Sequence, residues 1–443
     1  MKKYIALLAV CCVAFPAAAF DPLGVHKVDA PKGCIDKDVA EEELTLDDLV
    51  QIGLCTNPSL SAGYMGVKAS EAGLGQARAA YLPSVKLTGT GNITGSKVEH
   101  SHYVQGEPYS GKAEASWLLF DFGGREARTS SVRSYVEAAR HSYDASLQDT
   151  ILAVQTGYLN LLAAQESLLS AQASLDAYAQ SYQQAEKRYK LGMVSLSDKL
   201  QAQTRYEQAV LLVVQAENKI KQNSGALAIL VNLSPDTPIK LKKPVYEEDI
   251  IAIENDDITA LMKTALENRP EIHAQASVSK MAKSNLTAAK TAMLPSISAT
   301  AGASYADNWK RESLYTANTS AGLLVTMPLF TGFSNTYQIK EASYKYSQEE
   351  KNMDALKLRV ENEVWASYQN YKTALRSYEI SEVVLASAEE NYRVAFRYYE
   401  LGKEDILTLL SAVSDLADAR QNKITAFYGL LLSKANLYRS IGK

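Results

Sequence analysis

Residues 106–124, GEPYSGKAEASWLLFDFGG, contain two short motifs that serve nucleotide chemistry in other proteins. The stretch from Gly106 to Ala113 has two glycines five residues apart followed by a lysine, much as a phosphate-binding loop does. Asp121 begins an Asp-Phe-Gly triplet, whose aspartate holds magnesium in protein kinases. If either motif worked in this way, the chain would be a nucleotide-using enzyme.

Neither motif has the neighbours that its chemistry requires. A phosphate-binding loop needs Ser or Thr after the lysine and a helix N-terminus facing the phosphate, whereas Ala113 follows Lys112 and begins a strand pattern. The Asp-Phe-Gly triplet lacks the glycine-rich loop, strand lysine and HRD motif of a kinase. His100 and His102 flank one serine, but two ligands on a hairpin loop make a poor metal site. The sequence therefore predicts no catalytic, cofactor or metal site.

The N-terminus has the pattern of an export signal. Two lysines, an apolar stretch and three alanines predict a signal peptide over 1–19, cleaved after Ala19. Cys11 follows a valine inside a longer apolar run, so lipidation is not expected. Cys34 and Cys55 form an even pair in an exported chain, which predicts a disulfide worth about 3 kcal/mol.

Four short segments recur in the same order later in the chain, which indicates an internal duplication. The pairs are LCTNPSL (54–60) with LENRPEI (266–272), AYLPSV (80–85) with AMLPSI (292–297), Leu119-Phe120 with Leu329-Phe330, and YKLG (189–192) with YELG (399–402). The first two pairs lie 212 residues apart and the last two lie 210 residues apart. A nearly constant offset predicts two copies of one structural unit.

The duplication predicts the organisation of the whole chain. An extended N-terminal segment, 20–43, follows the signal peptide, and a connection rich in proline and acidic residues, 232–257, joins repeat 1 (44–231) to repeat 2 (258–443). Each repeat is predicted to contain short helices, a β-hairpin, a long helix and a return helix. The predicted ranges are 44–80, 83–121, 124–191 and 195–231 in repeat 1, and 258–293, 295–330, 333–401 and 405–441 in repeat 2.

Each predicted hairpin has one polar and one apolar face. Val85 and Leu87 alternate with polar residues in the first copy, and Ile297 and Ala299 do so in the second. Alternation over ten or more residues is typical of strands that are polar on one side. Gly106–Gly111 is the predicted turn region of the first hairpin, because glycine and proline reverse the chain.

After each hairpin the apolar residues recur every seventh position. They are Leu147, Val154, Leu161, Leu168, Leu175, Tyr182 and Tyr189 in the first copy, and Val364, Tyr371, Tyr378, Leu385, Tyr392 and Tyr399 in the second. Seven-residue spacing predicts helices that wind around their neighbours. A helix of about 65 residues is about 100 Å long, several times the width of a compact domain.

Strands are the only predicted elements that could cross a membrane. Beyond the signal, no apolar run approaches the ~20 residues of a spanning helix. Four strands cannot close in lipid, so the chain must oligomerise, and two, three or four copies would give 8, 12 or 16 strands. Three copies are the smallest number that leaves a lumen, which favours a trimer. The aromatic residues expected at the membrane interfaces are Tyr103, Tyr109, Trp117, Tyr305, Trp309 and Tyr315.

Together these features resemble the TolC-like outer membrane efflux protein family. The resemblance covers 44–441 and rests on the duplicated Asn-Pro and Arg-Pro helices, the two Leu-Pro-Ser strand starts, the strand ends LFDFGG and PLFTGF, and the paired Tyr-x-Leu-Gly tips. It implies an α+β membrane protein, a homotrimer whose two hairpins per chain build a 12-stranded β-barrel in outer-membrane lipid. Long coiled-coil helices would continue the barrel as a periplasmic α-barrel.

The resemblance also implies a function and its partners. The protein would be a non-enzymatic exit duct in a Gram-negative outer membrane, serving a tripartite efflux or type I secretion system. A periplasmic adaptor and an inner-membrane pump or ABC exporter would deliver the substrates. With 46 basic and 50 acidic residues, the chain gives no reason to expect a nucleic-acid partner.

Site residues follow from the same resemblance. The tips expected to dock the adaptor are Leu191, Gly192, Ser195, Leu196, Leu401, Gly402, Asp405 and Ile406. At the positions where the family commonly carries a ring of paired aspartates, this chain has Thr408 and Ser411, which departs from the pattern. The candidates for a periplasmic constriction are Asp198, Asp405, Thr408, Ser411, Asp415 and Asp418, and solvated charge on an outer face is the alternative.

Two other functions stay open at this point. A barrel-anchored structural or adhesive trimeric coiled coil would have one long stalk, whereas these helices alternate with hairpins twice. A general diffusion porin would need many more strands per chain and no 65-residue helices.

Overall fold

The structure is a computed structural model that describes residues 43–96, 104–242, 257–308 and 315–443. The predicted signal peptide, the segment 20–43, most of the connection 232–257, and Cys34, His100, His102, Tyr103 and Trp309 lie wholly or mainly outside these residues. The Cys34–Cys55 disulfide therefore stays a prediction. The described chain divides into two compact units, the first made of Gly66–Arg140 and Gln275–Asn352 and the second of 43–65, His141–Ala274 and Met353–Lys443.

The described residues form eight α-helices, four in each repeat. They are α1 Leu46–Thr56, α2 Pro58–Ala79, α3 Gly124–Lys190, α4 Leu196–Leu230, α5 Ile258–Asn268, α6 Pro270–Thr291, α7 Ser334–Glu400 and α8 Ile406–Ser440. The helix lengths are 11, 22, 67 and 35 residues in the first repeat and the same in the second. Equal lengths in equal order are the structural counterpart of the duplicated sequence.

Membrane-spanning helices are not among these elements. In the part of the chain that the structure describes, no helix has an apolar stretch long enough to cross a bilayer.

Six antiparallel strands complete the described elements. They are β1 Ser84–Gly91, β2 Thr94–Ser96, β3 Val104–Gly106, β4 Pro108–Phe120, β5 Ser296–Asn308 and β6 Thr316–Thr326. Four of them form one sheet in the order β1-β4-β5-β6, and β2 pairs with β3. The sheet thus places the two hairpins side by side. The expected combination of helices and antiparallel strands is confirmed.

The predicted turn at Gly106–Gly111 is wrong. Strand β4 begins at Pro108, and Gly111 pairs with Gly89 of β1 and with Tyr305 of β5. It therefore lies inside the sheet, between two neighbouring strands. Glycine and proline favour a turn locally, but pairing with two neighbours decided the conformation here.

The strand register gives the sheet one apolar and one polar face. Directly paired residues point to the same side of an antiparallel sheet. Val85, Ala115, Ala301 and Ala321 therefore share one face, and their neighbours Lys86, Glu114, Gly302 and Ser320 share the other. The apolar face is open in the single chain, with Val85 exposed to 78% and Leu323 to 71%.

Aromatic residues lie toward both ends of the apolar face. The rings of Tyr109 and Tyr305 are 6.3 Å apart, and Tyr315 stacks on Tyr305 at 5.8 Å. Toward the other end, the indole N–H of Trp117 donates to the main-chain oxygen of Tyr81 at 2.9 Å. Amphipathic aromatic side chains in two belts are typical of the interfaces of a membrane sheet.

The Asp-Phe-Gly triplet lies between β4 and α3, and it stabilises the start of α3. The side chain of Asp121 accepts a hydrogen bond from the backbone N–H of Arg125 at 2.6 Å, which caps the new helix. The guanidinium of Arg125 donates in turn to the carbonyls of Leu118 and Leu119. Phe122 has a φ of 52°, a left-handed conformation that turns the chain sharply. The motif joins β4 to α3, and the carboxylate of its aspartate is used to cap that helix.

The core of the second unit buries part of the seven-residue stripe. Val154 and Leu161 of α3 pack with Leu49 of α1 and Leu227 of α4 in one buried cluster. In the second repeat, Val364 of α7 is fully buried in a corresponding cluster. Each repeat therefore packs its short first helix against its own long and return helices.

Candidate functional site: the two helical tips

Two turns in the second unit reverse the chain between a long helix and its return helix. We call them tip 1, Leu191–Ser195, between α3 and α4, and tip 2, Leu401–Asp405, between α7 and α8. At tip 1, the N–H of Gly192 donates to Tyr189 and that of Met193 to Arg188, each at 2.9 Å. Tip 2 repeats both bonds one repeat later. This pair of bonds is the Schellman motif, which satisfies carbonyls at a helix end.

Glycine is required at the same position of both tips. Gly192 has a φ of 73° and Gly402 a φ of 70°, in the left-handed region that L side chains avoid. The glycines at the tips are thus explained by backbone geometry alone. Any docking role belongs to the side chains around them.

Each return helix begins with a side-chain cap. At tip 1, Ser195 and Asp198 form a capping box, in which each side chain accepts from the other residue's backbone N–H. At tip 2, the carboxylate of Asp405 accepts from the N–H of Thr408 at 2.8 Å, and this bond lowers the pKa of Asp405. The predicted constriction acids Asp198 and Asp405 are therefore engaged at their own helix N-termini.

Arg188 ties the two tips together, and sequence reasoning missed it. Its guanidinium, on the last turn of α3, donates to the main-chain oxygens of Tyr399 and Glu400 at the end of α7. It also lies over the ring of Tyr399, 4.4 Å from the ring centre. The position equivalent to Arg188 in the second repeat is Tyr398, so a break in the duplication was the available signal.

Most of the residues expected to dock an adaptor are exposed. Leu191 is 73% exposed, Leu401 is 67% exposed and Leu196 is 51% exposed. Gly192, Ser195, Gly402 and Asp405 are exposed as well. Exposed apolar side chains grouped at one place on a surface are typical of an interaction site.

Ile406 is the exception among the expected docking residues. It is only 3% exposed and packs with Leu409 and Tyr399 in a buried cluster. The first apolar side chain of α8 therefore faces the neighbouring helices, so Ile406 supports the tip from within.

The remaining constriction candidates lie together on α8. Thr408, Ser411, Asp415 and Asp418 are all exposed, and their spacing of three and four residues places them on one face of the helix. Ser411 and Asp415 border a groove whose other wall is formed by α4, including Arg205. This exposed polar face is separate from the capping acids, Asp198 and Asp405.

A comparison with known protein families accounts for this arrangement. The family model described as outer membrane efflux protein matches residues 49–233 and 261–443, which are the two repeats. The chain belongs to the outer membrane efflux protein family. It is thus a protein of the outer membrane that extends into the periplasm, and its efflux relatives are conduits that catalyse no reaction.

Individual relatives in this family match the chain over most of its length. CyaE of Bordetella pertussis is 28% identical over 391 residues, which cover 86% of this chain and 81% of that protein. The outer membrane protein TolC of Vibrio cholerae is 26% identical over 375 residues, covering 82% of this chain and 83% of that protein.

The fold is also that of an outer membrane efflux channel. The crystal structure of the Campylobacter jejuni CmeC outer membrane channel superposes with a TM-score of 0.77 at 19% identity. The match covers 90% of this chain and 85% of that chain. The architecture is therefore retained although few residues are identical.

Proposed function

We propose that three copies of this chain form the exit duct of a tripartite efflux or type I secretion system. The duct conducts substrates passively from a periplasmic adaptor and an inner-membrane pump or ABC exporter to the exterior. The observation that carries this proposal is the four-stranded sheet, which is apolar on one face, polar on the other and open at both edges.

The two open edges argue for assembly with further copies. Among the described residues, strands β1 and β6 each pair with another strand on one side only. In lipid, unpaired backbone groups have no water to bond, so β6 of one copy must pair with β1 of the next. Three copies give 12 strands, enough to enclose a lumen. Lys112 and Glu114, paired at 2.5 Å on the polar face, would then face water.

The long helices have apolar surface that a second copy would cover. On α7, Leu358 and Trp365 are seven residues apart and are exposed to 68% and 48%. They lie beside the buried stripe at Val364, so α7 can pack on two sides. A helix with two apolar stripes is suited to a closed ring of helices, each contacting two neighbours.

The tips are the proposed docking site for the adaptor. Leu191 and Leu401 are exposed on two turns that Arg188 holds together, so both apolar side chains are presented at the same end of the helices. The two tips of each chain, in three copies, would offer six similar contacts to a ring of adaptor hairpins. Apolar contacts between preorganised turns give binding without a large ordering cost.

Mass and conductance together test the proposed duct. The purified protein in detergent should have three times the mass of one chain, and in a planar lipid bilayer it should form conducting pores. A deletion strain should lose export, and the wild-type gene should restore it. A trimer that neither conducts nor restores export would support the structural or adhesive alternative, whereas a conducting pore in cells with unaffected export would support a diffusion porin.

Docking has its own test, with a control on the same helices. Leu191→Glu/Leu401→Glu should assemble normally but fail to co-purify with the adaptor and fail to restore export. Leu211→Glu changes a similarly exposed leucine on α4, 56% exposed and away from the tips, and should retain the adaptor. Equal adaptor recovery for both variants would exclude the tips as the docking surface.

A further inference from the structure

Two histidines from separate helices meet in the second unit. His141 lies on α3 and His273 lies on α6, and their ring centres are 5.3 Å apart with the ring planes inclined by 38°. The side chain of His141 is 37% exposed and His273 is exposed as well. Solutes can therefore reach both rings, although each ring is mounted on a helix.

Each imidazole has an acceptor beside one of its two nitrogens. Nδ1 of His141 lies 3.5 Å from a carboxylate oxygen of Asp144, and Nε2 of His273 lies 2.8 Å from the main-chain oxygen of Glu267. A histidine whose one ring nitrogen faces such an acceptor can offer its other nitrogen to a metal. Nε2 of His141 and Nδ1 of His273 are left for this purpose.

This arrangement has the form that metal-binding histidines take. Such histidines usually donate the second ring nitrogen to a carboxylate or a backbone carbonyl, which sets the tautomer and the ring orientation. His141 has the carboxylate and His273 has the carbonyl. A simple contact between two aromatic rings would require neither acceptor.

The separation of the rings also fits a shared metal ion. With metal–nitrogen bonds of about 2.1 Å and an angle at the metal between about 90° and 109°, two imidazole centres lie roughly 4.5–5 Å apart. The observed separation of 5.3 Å is close to the upper end of this range. The carboxylate of Asp144, 3.5 Å from the ring of His141, adds negative charge that favours a cation.

We propose that His141 and His273 form a binding site for a divalent transition metal, with water completing the coordination. Imidazole ligands favour Cu²⁺ over Ni²⁺ and Zn²⁺. Among the described residues, no three His, Cys, Asp or Glu side chains are grouped to hold a metal, so the protein supplies two ligands and the ion exchanges readily. Bound metal would connect α3 to α6 and stabilise their contact.

Titration of the purified full-length protein with Cu²⁺ tests this site. Wild-type protein should bind Cu²⁺ with paramagnetic resonance couplings to two imidazole nitrogens, and its melting temperature should rise. His141→Gln and His273→Gln should each weaken this binding by at least about tenfold, and the rise in melting temperature should disappear. Asp144→Asn removes only the carboxylate beside Nδ1 of His141. It should weaken Cu²⁺ binding by about tenfold, because the imidazole ring of His141 is then oriented less firmly.

The other histidine pair of the chain supplies the control. His100 and His102 lie outside the described residues, and the variant His100→Gln/His102→Gln should keep the two-nitrogen signal and the metal-dependent stabilisation. The proposal is overturned if this double variant abolishes the signal, or if folded His141→Gln and His273→Gln bind Cu²⁺ as the wild type does. Unchanged circular dichroism of each variant establishes that the fold is intact.

Discussion

At the scale of single residues, the Arg-Pro motif of the second repeat anchors a partly buried ion-pair network. Arg269 donates to Glu271 at 3.2 Å and to Glu363 at 2.5 Å, and Arg439 donates to Glu271 at 2.6 Å. Burial alone would raise the pKa of Glu271, but the hydrogen bonds from Arg269 and Arg439 outweigh it and lower the pKa to about 2. In the first repeat Asn57 takes the place of the arginine and donates to the carbonyl of Leu230. Both motifs thus join the start of a repeat to its end.

This network predicts an acid-dependent stability. Because the pKa of Glu271 falls from an ordinary value of 4.5 to about 2 on folding, its contribution is full above about pH 4.5 and is lost as the pH falls toward 2. The shift corresponds to roughly 3 kcal/mol. Glu271→Gln should therefore be less stable than wild type at pH 7 and should lose less stability between pH 4.5 and 2, measured by thermal unfolding.

The control for this prediction is Glu267→Gln. Glu267 is an acid on α5 whose side chain is 64% exposed and whose ion pair with Lys263 is long, at 4.0 Å. Its pH profile should follow that of wild type, because exposed pairs contribute little. Parallel profiles for wild type and Glu271→Gln would contradict the assignment.

At the scale of secondary-structure elements, each tip depends on the left-handed backbone conformation of its glycine. A Cβ at Gly402 would meet only a guanidinium nitrogen of Arg188 at 4.0 Å, so space does not exclude a side chain there. The left-handed φ does, because it brings a Cβ too close to the following carbonyl oxygen.

Gly402→Ala should consequently cost about 1–2 kcal/mol of unfolding free energy and weaken adaptor docking. Gly429→Ala is the matched variant, because Gly429 lies inside α8 with open space around its Cβ position. That change should be neutral or stabilise by about 0.5–1 kcal/mol, since alanine favours a helix. Chemical unfolding of both variants measures the difference in unfolding free energy. Equal changes in the two variants would show that the left-handed φ of Gly402 does not contribute to stability.

The sheet offers a second matched pair. Ala301 lies near the middle of β5 on the apolar face, and Thr300, its neighbour, lies on the polar face. Ala301→Arg should cost about 2–4 kcal/mol if that face meets lipid, whereas Thr300→Arg should assemble and change ion conductance. The amount of folded protein in outer membranes measures the first effect. Equal loss in both variants would exclude an assignment of the apolar face to lipid.

At the scale of the whole molecule, the proposed trimer would bring three copies of the exposed polar face of α8 around one axis. Two exposed acids there, Asp415 and Asp418, would give a ring of negative charge in each assembled duct. Such a ring attracts cations and sets the selectivity of a narrow pore. The carboxylate of Asp405, in contrast, caps the N-terminus of α8.

The expected result is a loss of cation preference in Asp415→Asn/Asp418→Asn, measured as reversal potential in a salt gradient. Asp405→Ala should keep the preference, because its carboxylate serves the helix N-terminus, and should instead lower stability by about 1 kcal/mol. If the double variant keeps the wild-type preference, these acids belong to a solvated outer face.

Much of the architecture was readable from the sequence because it is periodic. Alternation of period two marked the strands, the seven-residue stripe marked the long helices, and the repeat offset marked the duplication. These are properties of local geometry, since a strand alternates its side chains and a helix returns to the same face within two turns. The glycines of the tips were likewise visible, because only glycine suits the left-handed turn.

Other features depend on which segments pack together, and only the tertiary structure decided them. Gly111 became a strand residue because it lies in β4 between β1 and β5, which pair with β4 on its two sides. Leu196 is exposed while its counterpart Ile406 is buried, although both begin a return helix. Arg188 reaches the end of the other long helix, and His141 meets His273 across two helices. Contacts between residues this distant in sequence are set by packing, which no local pattern records.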